Sequence, residues 1–165
     1  MKKTAFCGLM LALALIASYV ESLIPVPIPV PGIKLGVANS IVLILLYYAN
    51  TKTAWGISIA RVILSGFLFG SMSSILYSLS GAVLSLLIMT LAKKRDCFTM
   101  TGVSVAGGVS HNIGQLIMAY LVLESTAVWY YLPVLLVSGC ITGCLIGILG
   151  KEIFKRIPRE EAVGI

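Results

Sequence analysis

Six long apolar runs follow one another along this chain, each closed by a short cluster of charged residues, prolines or glycines. A helix needs about 20 apolar residues to cross the hydrocarbon of a bilayer. On that measure the runs predict spans at Thr4–Leu23, Leu35–Ala49, Ala54–Gly70, Met72–Leu91, Gly102–Leu123 and Tyr130–Gly150. Backbone in lipid must satisfy its own hydrogen bonds, so these spans are expected to be helices. The second run is short for a full crossing and is expected to share depth with the loop before it. The predicted fold class is all-α: a polytopic membrane protein with six transmembrane helices in one compact bundle. Residues 1–165 form a single membrane domain with a tail at 151–165, and no sequence is left for a second domain.

Composition supports that reading. The 165 residues are 59% hydrophobic and 11% charged, with a mean hydropathy of +1.04, whereas a soluble domain carries about 25% charged residues. The placement of the net +6 charge says more than its size. Ten of the twelve basic residues fall on one side of the predicted membrane: Lys2, Lys3, Lys52, Lys93, Lys94, Arg95, Lys151, Lys155, Arg156 and Arg159. The other side has Lys34, and Arg61 lies within a span. The positive-inside rule then puts both termini in the cytoplasm. The basic residues are read as topology signals, so no nucleic-acid partner is expected.

The first run mimics a secretory signal, with Lys2-Lys3 ahead of small residues Ala12, Ala14, Ala17 and Ser18. It continues apolar through Val20 to Ile24, and the charge pattern needs it as a span, so retention is expected. Cys7 and Cys97 fall near the reducing side, and no disulfide is expected. Cys140 and Cys144 lie one helical turn apart with no acid or histidine nearby in sequence, so they read as small packing residues and no metal site is predicted.

Polar residues inside apolar runs are expensive and therefore informative. Arg61 is a permanent cation in the otherwise uncharged stretch Ala54–Gly70. His111, Asn112 and Gln115 form a second cluster, in which His111 and Gln115 share a helical face. Ser104 and Gly108 extend that face. Asn39 lies about one turn into the second span. Tyr77 stands among Ser71, Ser74, Ser78, Gly81 and Ser85 of the fourth span. Asn39, Arg61, Tyr77, His111, Asn112 and Gln115 are the candidate substrate-binding residues; a purely structural hydrogen-bond network is the alternative. Glu21 and Glu124 sit at helix ends and read as interfacial. Trp129, Tyr130 and Tyr131 read as one aromatic belt, and Tyr47, Tyr48 and Trp55 as the other.

Small residues recur every four positions: Gly139, Gly143 and Gly147 in span six; Gly102, Ala106, Ser110 and Gly114 in span five; Gly66 and Gly70 in span three; Gly8 and Ala12 in span one. Such stripes let helix backbones approach closely in lipid. The segment Pro25-Val26-Pro27-Ile28-Pro29-Val30-Pro31-Gly32, followed by Lys34, forbids helix and favours an extended loop. It suits a lid over an outward cavity or a short rigid connector.

Catalytic chemistry has little to work with. Six acidic residues are present, and Asp96 is the only aspartate. No phosphate loop ending in Lys-Ser or Lys-Thr occurs, and no aspartate pair can hold magnesium on a diphosphate. The chain is expected not to be an enzyme and to need no cofactor. A binding role fits better, because Arg61 offers a forked contact to carboxylate or phosphate.

Several segments resemble a known family: Gly32-Ile33-Lys34-Leu35-Gly36-Val37-Ala38-Asn39, Ala60–Gly66, Leu76–Gly81 and Val103–Gln115 with its His-Asn-x-Gly-Gln run. The resemblance is to the Gx transporter family, also named heptaprenyl diphosphate synthase component I. That family is in turn similar to the substrate-binding S components of energy-coupling factor vitamin importers. The resemblance implies a multi-pass protein of a prokaryotic cytoplasmic membrane that binds a small vitamin- or cofactor-related molecule. It also implies a lid between helices one and two, a transmembrane coupling subunit and two ATPase subunits as partners, and docking through Gly8 and Ala12. The usual docking motif has alanine at both positions, and Gly8 departs from it. The family's other name implies a different role, a noncatalytic subunit beside heptaprenyl diphosphate synthase.

Overall fold

A computed structural model describes residues 2–23, 38–95 and 97–156. The described residues form six α-helices and one 3-10 helix: α1 (Lys2–Ser22), α2 (Asn39–Tyr48), α3 (Thr51–Phe69), α4 (Met72–Lys94), α5 (Met100–Leu123), the 3-10 helix Thr126–Tyr131, and α6 (Leu132–Arg156). Each expected span corresponds to a helix. Four segments are long and apolar enough to cross a membrane: Thr4–Ser22, Thr51–Phe69, Met72–Lys94 and Thr126–Arg156. α5 has the length, at 24 residues, but its polar cluster dilutes its hydropathy. α2 is only 10 residues long, in keeping with the short second run. The proline segment and Lys34 lie outside the described residues.

Tight polar turns join the helices. Asn50 caps α3 by accepting from the Thr53 N–H at 2.8 Å. Ser71 and Ser74 form a reciprocal capping box at the start of α4, which satisfies first-turn donors that lipid could not. Thr99 caps α5 through the Gly102 N–H. Glu124 ends α5 in the left-handed conformation, with φ of 50°.

The helices fall into two groups. α4, α5 and α6 pack closely, with α5 between the other two. The backbones touch because side chains are missing where they cross. A Cβ added at Gly108 would lie 2.6 Å from the Gly139 carbonyl oxygen, and one at Gly143 would lie 2.6 Å from Val105 Cα. On the other side of α5, a Cβ at Gly114 would lie 2.8 Å from the Ser80 carbonyl oxygen. Serines then bridge the closed gap: Ser80 Oγ donates to the Gly114 carbonyl at 2.7 Å, and Ser85 Oγ to the Gly107 carbonyl at 2.8 Å. In lipid, where no hydrophobic force draws helices together, such contacts drive association. α1, α2 and α3 form the looser group. Leu43, Leu45 and Leu46 of α2 are fully buried against Leu86 and Val103, which joins the two groups in one apolar core.

Several expectations from the sequence are corrected here. Glu124 is exposed, but Glu21 is 3% exposed and points into the bundle. Cys140 and Cys144 are exposed and do not pack between helices. Tyr48 is buried and stacks on Phe6, with ring centroids 5.9 Å apart, so it belongs to the core and not to an aromatic belt. Lys93 folds back to donate to the Leu46 carbonyl and to cover the Tyr47 ring, so it also ties α4 to the end of α2. Gly108, on the face that His111 and Ser104 share, lies against Gly139 of α6.

The glycine contacts predict a graded response. Gly143→Ala should destabilise the protein by about 1–3 kcal/mol, because the atoms in the way are backbone. Gly8→Ala meets nothing within 4 Å and should be neutral. Thermal unfolding of both variants in detergent checks this; equal midpoints would refute the packing account.

Candidate functional site

Two polar clusters lie inside the helices. The first is built where α1, α2 and α3 meet. Arg61 comes from the middle of α3 and is 5% exposed. Its Nη1 donates to Ser18 Oγ of α1 at 3.2 Å, and its Nη2 to Asn39 Oδ1 of α2 at 3.5 Å. Glu21 follows Ser18 by about one turn of α1, and its charge acts on the guanidinium. Ser58, also buried, precedes Arg61 on the same face of α3.

Depth explains why these residues meet. Asn39 opens α2, about 14 Å from the Ala49–Asn50 turn at 1.5 Å per residue; Arg61 lies about 15 Å up α3 from the same turn. The structure puts the two side by side. Sequence reasoning also missed three members of this cluster. Ser18 read as a small signal-like residue, Glu21 as interfacial, and Ser58 drew no attention. One signal was available: Ser18 and Glu21 share a helical face three residues apart.

The second cluster lies on α5 and divides between its neighbours. His111 and Gln115 face α4. A Cβ at Gly81 would lie 2.8 Å from the His111 carbonyl oxygen and 2.9 Å from Gln115 Cγ, so only glycine lets α4 close over them. Asn112 faces α6, where its Nδ2 donates to the Leu135 carbonyl at 2.7 Å and to Ser138 Oγ at 3.3 Å. Asn112 thus acts as an interhelical tie. Tyr77 is buried with Leu116, Ala119, Val128 and Leu135, an apolar wall beyond Gln115. Gln115 is fully buried, and neither of its amide atoms has a hydrogen-bond partner among the described residues.

An internal cavity links the helix groups. Asn39 and Leu43 of α2, Met89 of α4, Ser104, Gly107 and Gly108 of α5, and Thr142, Gly143 and Ile146 of α6 line it. It offers about 10 Å³ of room, enough for about one water molecule. Of the predicted binding residues, Asn39 alone lines it. Asn39 and Arg61 are therefore brought together, as are His111 and Gln115, while Tyr77 and Asn112 have separate surroundings. Gly8 and Ala12 lie on the exposed face of α1. Among the described residues no group of three His, Cys, Asp or Glu could hold a metal ion.

The heptaprenyl diphosphate synthase component I family model matches residues 10–153. The chain belongs to that family. The matched region runs from α1 into α6 and takes in both polar clusters. No curated protein and no solved structure matches the chain.

The Gln115 amide yields a prediction. Burial of two unpartnered polar atoms costs about 1–3 kcal/mol, so Gln115→Leu, close in volume, should raise the unfolding midpoint in detergent. If Gln115 serves binding, the same variant should retain less copurifying small molecule in native mass spectrometry. A lowered midpoint would show that the amide is satisfied in the folded protein.

Proposed function

We propose that this chain is a noncatalytic membrane subunit that works beside a separate heptaprenyl diphosphate synthase subunit and holds a small amphipathic molecule among its helices. The family match over residues 10–153 carries this reading. The chemistry of the chain supports the noncatalytic part. Prenyl-diphosphate chemistry needs carboxylates to hold magnesium on a diphosphate, and this chain has one aspartate, Asp96. The buried polar clusters support the ligand-holding part, because lipid-embedded polar groups mark ligand or ion pathways.

A second reading has a specific observation in its favour. The Arg61–Asn39 contact lies at the start of α2, seven residues along the sequence from Gly32 at the end of the proline segment. That is where a substrate-binding importer subunit with a lid between its first two helices would hold its substrate. Gly8 and Ala12, exposed on α1, would then dock on a coupling subunit driven by two ATPases.

Affinity purification from native membranes separates the two. The first reading expects a soluble prenyl synthase subunit to copurify. A coupling subunit and two ATPases would establish the second reading instead, and recovery of neither set would sink both.

The same proposal places the basic end of the bundle in the cytoplasm of a prokaryotic cell. Cys97 is exposed in the α4–α5 connection at that end. In intact spheroplasts a membrane-impermeant maleimide should leave Cys97 unlabelled until the membrane is opened. Labelling of closed spheroplasts would reverse the orientation.

A further inference from the structure

Asn39 stands between two environments. Its Oδ1 accepts from Arg61 Nη2 at 3.5 Å, and the residue also lines the cavity between the two helix groups. A guanidinium has only donors, so the amide oxygen must face Arg61 and the NH2 group is turned away from it. That Nδ2 has no hydrogen-bond partner among the described residues, although Asn39 is only 9% exposed. Buried donors without acceptors are rare in folded proteins, and each calls for an explanation.

The cavity supplies one. Two hydroxyl-bearing residues share its lining with Asn39: Ser104 of α5, which is buried, and Thr142 of α6. Thr142 commits its proton to the Ser138 carbonyl at 2.8 Å, which leaves its oxygen as an acceptor. Ser104 Oγ can act as either donor or acceptor. The room of about 10 Å³ is that of about one water and takes no organic molecule or phosphate group. Apolar cavities stay dry, whereas a buried water is held by about three polar groups. This lining provides three with complementary roles.

We propose that the cavity is a binding site for one resident water, held by Asn39, Ser104 and Thr142. The water oxygen accepts from Asn39 Nδ2, and its two protons go to Thr142 Oγ1 and Ser104 Oγ. The water thereby ties α2 to α5 and α6. It also completes the amide that Arg61 holds at its other end, so the polar corner of the looser helix group is carried onto the glycine-packed one. The site goes beyond the ligand-holding reading and does not depend on it, because nothing larger than a water fits.

X-ray radiolytic footprinting of the full chain in detergent tests this. The pulse makes hydroxyl radicals from water in place, so a buried side chain is oxidised where a water is within reach. α2 carries its own control. Leu43, Leu45 and Leu46 are equally buried, and of the three Leu43 alone lines the cavity. Leu43 should be hydroxylated several-fold faster than Leu45 and Leu46, and Met89, buried and also on the cavity wall, should be oxidised with it. Ser104→Ala combined with Thr142→Val removes both acceptors and leaves the Asn39–Arg61 contact in place. It should bring the Leu43 rate down to that of Leu45. If the double variant does not fold, Thr142→Val alone, close in volume, should lower the rate. Equal, low rates for the three leucines in the wild type would show a dry cavity and overturn the proposal. Equal, high rates would show breathing of the whole helix and overturn it too. An unchanged Leu43 rate in the folded variant would overturn the assignment of Ser104 and Thr142 as partners.

Discussion

A guanidinium without water around it has to be enclosed by protein, and in this chain Arg61 decides where three of the six helices meet. Its two hydrogen bonds reach α1 through Ser18 and α2 through Asn39. Lipid gives no alternative partner, so the cost of exposing the charge holds the helices in place. The energetic value of such a buried contact lies less in its own strength than in the penalty for breaking it. Glu21 offsets part of the charge from the same face of α1.

The other half of the bundle is organised by absence of side chains. Gly81, Gly108, Gly114, Gly139 and Gly143 bring α4, α5 and α6 to backbone contact, and Ser80 and Ser85 close the approach with hydrogen bonds to carbonyls. The tight half thus presents fixed walls, while the looser half carries the cation and the link from α1 to α2. Polar groups without partners among the described residues occur in both halves: the amide of Gln115 in the tight one and donors around Arg61 in the looser one. Each sits where stability alone would prefer an apolar residue.

The buried polar positions were legible residue by residue. Arg61, Asn39, His111 and Gln115 stand out because a polar side chain in an apolar run is costly wherever it lies. Glu21 was not legible. At a helix end a carboxylate usually reaches water, and only the lean of α1 against α3 turns this one inward. Asn112 stood out equally well, yet its neighbours show it tying α5 to α6. Sequence spacing gives the angle of a residue around its own helix, but not which neighbour occupies that direction.

The sequence by itself determined the helices, their approximate ends, the short second span and the asymmetry of charge, because these follow from the hydropathy and length that a bilayer demands of any chain. It also determined that polar groups are buried, because no other place for them exists within such runs. Only the tertiary structure decided which polar groups meet. That choice depends on how far each helix rises from its turn and on where missing side chains let backbones close, and both are properties of pairs of helices.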